Sequence, residues 1–237
     1  MSTYISLTNE LLRRLGEVVM DSTEFDNARN VQALAKNSIN SSIREVLHSA
    51  QEWPFTLQTY TQTLTIGDST YQLPADTSSV DWESFYLKKF NDSTRASALP
   101  AISYSNYLSR FRPRDDNAGA DGYSTPTYIF QTQDFKYGVT PIPNEAYEIE
   151  YKYWSFPAEL VDKDDVCIIP ERFSNVVLDG AMVYMMIYRS NEQSAALHKD
   201  RFDLGIKGMR RVLMDDSTSV VSSMITRTSS TSGSRVA

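Results

Sequence analysis

The chain has 237 residues, one cysteine and a formal net charge of −7, from 23 Lys plus Arg against 30 Asp plus Glu. That length supports one sizeable core or two modest ones, and 41% hydrophobic with 22% charged residues is the balance of an ordinary folded protein. The lone Cys167 excludes an internal disulfide, and the acid excess excludes tight phosphate-backbone binding as the main task.

The opening MSTYISLTNELLRR places its basic pair after the apolar residues, the reverse of a secretory signal. Thr3 or Ser6 can cap a first helix running to about Val19, with Leu7, Leu11, Leu15 and Val18 as its stripe and Gly16 near its close. Met20 to Phe25 reads as a polar connection. Asp26 then caps a second, longer helix whose stripe is Val31, Leu34/Ala35, Ser38/Ile39, Ser42/Ile43, Val46/Leu47 and Ala50. Its Ala and Ser allow neighbouring helices to approach closely. Trp53-Pro54-Phe55 stops it, because a residue before proline avoids the α region.

From there the composition changes. All nine prolines, all three tryptophans and eleven of the 14 tyrosines fall between Trp53 and Pro170. Proline is expelled from helix interiors, and tyrosine and tryptophan favour strands, so this centre is β-rich. LQTYTQTLTI and TYQLP around Gly67-Asp68-Ser69 carry a hairpin signature. FYLKKF, Phe85 to Phe90, is a short strand; AISYSNYLSRF, Ala101 to Phe111, is spaced as one short helix; Arg112 to Thr127 reads as an exposed loop. YIFQT and FKYGV pair across Gln133-Asp134. In AYEIEYKYW, Tyr147, Ile149, Tyr151 and Tyr153 line one face and Glu148, Glu150 and Lys152 the other. One dry and one wet face predict an antiparallel sandwich or meander.

Ile169 to Tyr188 is the most apolar long helix candidate. Pro170 fits its first position and Glu171 its first turn. Phe173, Val177, Ala181, Tyr184 and Tyr188 recur at spacings of three and four, with Val176, Gly180 and Val183 alongside, so it is expected to be buried over most of its circumference. Arg172 and Asp179 mark the wet edge, and Asp179 argues against a membrane span. A further helix follows Ser190-Asn191, with Ala195, Phe202, Ile206, Met209 and Leu213 as its stripe; Gly205 and Gly208 serve either close packing or a bend. From Ser217 onward, 12 of 21 residues are Ser or Thr, and the only charges are Arg227 and Arg235. Val220, Val221, Met224 and Ile225 form its one apolar cluster. Composition alone gives a segment that cannot order itself; the sharper reading is an arm that orders on a partner, by adding a strand or docking this cluster.

Chemistry is sparse. His48 and His198 stand far apart, with no His, Cys or acid at ligand spacing, so no metal site is expected. Cys167 reads as a small buried hydrophobe. No nucleophile elbow, phosphate-cradling loop or dinucleotide fingerprint is present. Asp162, Asp164 and Asp165 lack the glycine and distal glutamate of a calcium loop and read as a solvated turn. Arg110, Arg112 and Arg114 are answered by Asp115 and Asp116, which suits a subunit or tail contact better than nucleic acid. No catalytic, cofactor or metal residues are expected, and no enzyme.

TNELLRRLGE, then SIREVLHSAQEWPF, STYQLPAD, STPTYIFQ, GVTPIPNEAYEIEYKYW and IPERFSNVVLDGAM follow one another in an order that resembles the head-to-tail adaptor proteins of tailed bacteriophages, the group that includes the tail tubular protein A of T7-like podophages. The similarity covers most of residues 1 to 216. It implies an α+β fold: an antiparallel bundle of four main helices from 1–52 and 167–216, a β-rich insertion over 53–166 between helices 2 and 3, and a C-terminal arm over 217–237. It further implies a virion protein of the neck, a twelve-subunit ring between the portal and the next tail (nozzle) component, with DNA passing its lumen without sequence-specific binding and no membrane association. Val220, Val221, Met224, Ile225 and Arg227 are then the expected portal contact. An acidic lining suits such a channel, since fixed cations would hold phosphates. The alternative is a carbohydrate- or receptor-binding virion protein, suggested by the aromatic centre.

Overall fold

The computed structural model describes residues 2–50, 52–89, 92–117 and 122–214. It shows a mixed α+β chain with two sheets. Helix α1 (Tyr4–Leu15) begins where Thr3 accepts the Ser6 amide and closes at Gly16, whose φ of 71° is left-handed. The expected extension to Val19 does not form, because that αL residue ends the hydrogen-bond ladder; Val18 is 78% exposed. The chain instead turns back along α1, fixed by Asn9, which accepts from the Met20 amide at 2.8 Å and donates to the Met20 carbonyl at 2.9 Å. Met20 and Phe25 are both buried, so this connection is less polar than its sequence reads. Phe25 meets Tyr4 edge-on, 5.1 Å between centroids, and Lys36 Nζ lies 3.9 Å above the Phe25 ring. Pinning Phe25 inward draws Phe25–Asn27 into a 3-10 turn, so Asp26 caps nothing and α2 (Val31–Ser49) starts later, after Asn30.

The small residues of α2 do what their size permits. Ser38, Ser42 and Ala35 are buried with Ile39, Ile43, Val46 and Leu47. Ser42 Oγ donates 2.7 Å to the Val177 carbonyl of α5 (Ser174–Tyr188). Pro170 does not open α5; a 3-10 turn, Glu171–Phe173, intervenes. Val177, Leu178, Gly180, Ala181, Met182 and Met185 are buried, but the last turn emerges, with Ile187 and Tyr188 exposed. The helix is thus wetter at its end than its composition predicts, because no neighbour covers that turn among the described residues. Helix α6 (Glu192–Leu213) is capped by Asn191, which accepts from the Ser194 amide at 3.1 Å. Gly205 faces Val176 so closely that a Cβ would sit 2.8 Å from Val176 Cγ2, whereas nothing lies within 4 Å of a Cβ at Gly208. Gly205 therefore serves close packing and Gly208 does not. Residues from Tyr4 to Trp53 and from Cys167 to Met209 share one core.

The second core lies between the sheets. Strands β1 (Leu57–Thr63), β2 (Thr70–Gln72), β3 (Thr77–Val80), β4 (Tyr86–Lys89), β5 (Asp92–Ala98) and β6 (Ala101–Ile102) precede the helical segment of α3 (Tyr104–Asn106), a π turn (Tyr107–Phe111) and α4 (Arg112–Asn117). Strands β7 (Tyr128–Gln131), β8 (Lys136–Thr140) and β9 (Tyr147–Ser155) follow. One sheet runs β1-β9-β4-β5, with β3 also on β9; the other runs β2-β8-β7-β6. The alternation of β9 holds: Tyr147, Ile149, Tyr151 and Tyr153 are buried, while Glu150 pairs with Lys88 on the outer face. The β7–β8 hairpin also forms.

The hairpin expected at Gly67-Asp68-Ser69 does not. β1 pairs with β9 from Leu57 opposite Trp154 to Thr63 opposite Glu148, and β2 pairs with β8, so this turn carries the chain between sheets. The inner row of β9 is the more apolar partner for Tyr60, and Tyr71 Oη closes the turn by donating to the Thr65 and Asp68 carbonyls. A second departure is that β6 and β7 are parallel. Parallel neighbours require a crossover, which runs here from Ile102 to Tyr128; within it Arg112–Asn117, expected as loop, is helical.

Candidate interaction surfaces

Among the described residues, no group of three or more His, Cys, Asp or Glu is placed to hold a metal, and no helix is long and apolar enough to cross a membrane. His48 packs on Phe156, and His198 Nδ1 lies 3.3 Å from Asp179 Oδ1. Cys167 is buried, and burial pushes its thiol up, away from a reactive thiolate. The acidic run 162–165 is a turn organised by Asp165, whose carboxylate accepts from the Val161 and Asp162 amides at 2.7 and 2.8 Å. The carbonyls of Lys163 and Asp165 accept the Ile5 and Tyr4 amides, so this turn satisfies the start of α1. Burial likewise raises the Tyr137 and Tyr151 hydroxyls well above the usual phenol range. They are neutral core groups, not acids or bases.

Arg110, Arg112 and Arg114 all lie exposed on the crossover. Arg112 Nε reaches Asp116 at 3.4 Å. The segment beneath them is held by its own side chains. Ser103 Oγ accepts the Asn106 amide at 3.3 Å, Tyr107 stacks on Phe130 with 3.7 Å between centroids, and Phe111 meets Tyr128 at 5.3 Å. Asp115, read from sequence as a counter-charge to the arginines, instead turns inward. It is 7% exposed and accepts from Thr140 Oγ1 at 2.8 Å. Its spacing of four from Phe111 is the one sequence signal for this, and the charge masks it.

Burial pushes the Asp115 carboxyl up; the Thr140 hydrogen bond and then Arg114 oppose this. A raised carboxyl pKa means the folded state holds its proton more tightly, so the group disfavours the fold as pH rises through that pKa. Asp115→Asn keeps an acceptor for Thr140 without the charge and is expected to melt at or slightly above the parent temperature at neutral pH. Asp115→Ala strands a buried hydroxyl and is expected to lose about 1–2 kcal/mol. Thermal melts of the two variants check both; an Asn variant as unstable as the Ala variant would refute the assignment.

Two shallow grooves meet beside the crossover, of about 510 Å³ and 430 Å³, sharing Trp82 and Gln131. Trp82 lies flat on Phe85, 5.6 Å between centroids. The tyrosines of β9, by contrast, are turned into the core and present no aromatic face outward. The helical end of the described chain lies at the join of the two halves: Arg210 Nη2 donates to the Ser49 carbonyl at the close of α2. The expected portal residues Val220, Val221, Met224, Ile225 and Arg227 lie outside the described residues.

Comparison with known families finds a match to the family model described as SU10 adaptor protein over residues 2–227. No curated protein matches the chain.

Proposed function

The chain belongs to the SU10 adaptor protein family, whose model spans nearly all of it, and from that premise we propose that it forms a closed ring at the phage neck, between the portal and the next tail component. The family makes it a structural protein of the phage head–tail junction. The ring, its twelve copies, the portal contact and the passage of DNA are the finer reading, which rests on the resemblance of the motif order to phage head-to-tail adaptors; the family match supports the adaptor role beneath it. The helical core built from both chain ends, with the β core between them in sequence, suits an antiparallel four-helix bundle (1–52 and 167–216) bearing a β insertion (53–166). A net charge of −7 suits a wall past which DNA moves without adhering. The carbohydrate-binding alternative needs exposed aromatics: the buried Tyr147, Tyr151 and Tyr153 do not serve it, and the exposed Tyr104 and Phe135 beside Trp82 are where it would have to act.

In this reading the segment from residue 217 engages the portal through Val220, Val221, Met224, Ile225 and Arg227, while Arg110, Arg112 and Arg114 meet a neighbouring subunit or the tail. Replacing Val220, Val221, Met224 and Ile225 with Ser is expected to weaken co-sedimentation with portal rings by tenfold or more, on the order of several lost apolar anchors. Unchanged co-sedimentation would sink the arm assignment. The ring itself is tested by negative-stain imaging of the purified chain alone and with portal. Rings in either sample support the reading; monomers in both, without portal binding, overturn it.

A further inference from the structure

Helix α6 buries Ala195, Phe202, Ile206 and Met209. Its opposite side is also patterned. Steps of four, three, four and four residues from Leu197 reach Arg201, Leu204, Gly208 and Val212, which places them on one face. Leu197, Leu204 and Val212 are 53%, 65% and 61% exposed, more than an isolated solvated face requires. Arg201 and Arg211 border them, exposed and without an acidic partner among the described residues. The missing side chain at Gly208 leaves a notch between Leu204 and Val212, with nothing within 4 Å of a Cβ there.

The turn after α1 carries the complement. Val18 is 78% and Val19 40% exposed, in a stretch that also holds Glu17, Asp21, Glu24 and Asp26. Glu17 is neutralised by Arg189, but Asp21, Glu24 and Asp26 have no cationic partner among the described residues, and Arg29 is the only cation between residues 16 and 30. The two surfaces flank α5, and Asp179 of α5 lies between them, with Oδ1 4.0 Å from Arg14 Nη1 and 3.3 Å from His198 Nδ1. On its α6 side, Val176 meets Gly205 and Gly180 meets Phe202. On the other, Asn175 accepts from Arg14 at 2.7 Å, and Leu178 shares a groove with Met20 and Asp21. Val176 and Leu178 are two residues apart, about 200° around a helix.

We propose that the outer face of α6 in one copy seats on the Val18–Val19 knob and its acidic surround in the next copy. Different, complementary patches make a heterologous contact, the kind that closes into a ring when its rotation allows. The occupant is a second copy because the chain itself carries the counter-surface, apolar against apolar and acid against base. The inference rests on the ring reading and names its subunit contact.

The test is sedimentation of the full chain, alone and with portal, in three variants: Arg201→Glu with Arg211→Glu, Asp21→Lys with Glu24→Lys, and all four together. Each pair is expected to weaken self-association on the order of tenfold, and the four-fold charge exchange to restore it to within a few-fold, which also shows that these exposed positions still fold. Rings that survive both pairs unchanged would overturn this contact and leave the ring reading standing. Loss of portal binding with self-association intact would overturn it too, reassigning the surface to the portal. A parent chain that stays monomeric alone and with portal would overturn both.

Discussion

Gly180→Ala is expected to lower stability by about 2–3 kcal/mol, even though alanine is the better helix former by about 1 kcal/mol. The added Cβ would lie 2.2 Å from Ser42 Oγ and 2.7 Å from the Phe202 ring. Neither neighbour can yield cheaply. Ser42 Oγ is committed to the Val177 carbonyl at 2.7 Å, and Phe202 is buried at 5% exposure on α6. Gly180 is therefore a point of close approach between α5 and both α2 and α6, and a methyl there must push α5 away from both. For a chain of this length the melting temperature should fall by roughly 5–10 °C. Ser42→Ala removes one of the two collisions, so the double variant should lose less than the sum of the singles, with a coupling of about 1 kcal/mol. A Gly180→Ala melt within a degree or two of the parent would show that the three helices are less tightly joined than these distances imply.

Much of this helical contact is legible in the sequence. The stripe of α2 alternates Ser and Ala with Ile, Val and Leu at helical spacing, and that pattern alone predicts close neighbours; the two faces of β9 follow from an equally local rule, while the apolar stripe of α1 reads on to Val18 past the glycine that ends it. The partner of a strand is not local. Leu57–Thr63 reads as half of a hairpin because Thr70–Gln72 is near in sequence, yet its register is set by Glu148–Trp154. Asp115 and Phe25 mislead for a related reason: each sits in a polar stretch, and only a tertiary partner, Thr140 or Tyr4, turns it inward. The outer face of α6 is hidden differently. Leu197, Leu204 and Val212 are apolar at helical spacing, but so are Phe202, Ile206 and Met209, and only the observed burial says which set is covered. The residues of function fare likewise: the order of motifs along the chain and the match over residues 2–227 agree on a phage adaptor, while the surfaces that do the adapting need the fold.

Trp53→Ala should be the most damaging single truncation, at about 3–5 kcal/mol, or roughly 10–15 °C in melting temperature. From sequence, Trp53-Pro54 is only the end of a helix. In the fold, Trp53 is 1% exposed, its Nε1 donates to the Val46 carbonyl at 2.9 Å, and its ring stacks on Phe55 at 5.5 Å. Its own carbonyl accepts from both the amide and the hydroxyl of Thr56, at 3.0 and 2.9 Å. The Thr56 carbonyl in turn accepts from Ser155 Oγ at 3.1 Å, at the end of β9. One side chain and three hydrogen-bonded links thus join the last turn of α2 to the strand that organises the first sheet. Truncation removes a large buried ring and also frees this junction. Trp53→Phe separates the two effects. It keeps most of the volume and removes the Nε1 donor, while the Val46 carbonyl still accepts from Ser49 Oγ at 2.7 Å, so stability should fall by only about 1 kcal/mol. In the proposed ring, closure would demand a fixed rotation from copy to copy, and a looser angle between the helical and β halves would spread that rotation where both halves meet the neighbour. The Phe variant is therefore expected to melt close to the parent yet assemble less well with portal. A Phe variant that assembles like the parent would reduce Trp53 to core filling; an Ala variant that melts within 3 °C of the parent, about 1 kcal/mol, would remove even that.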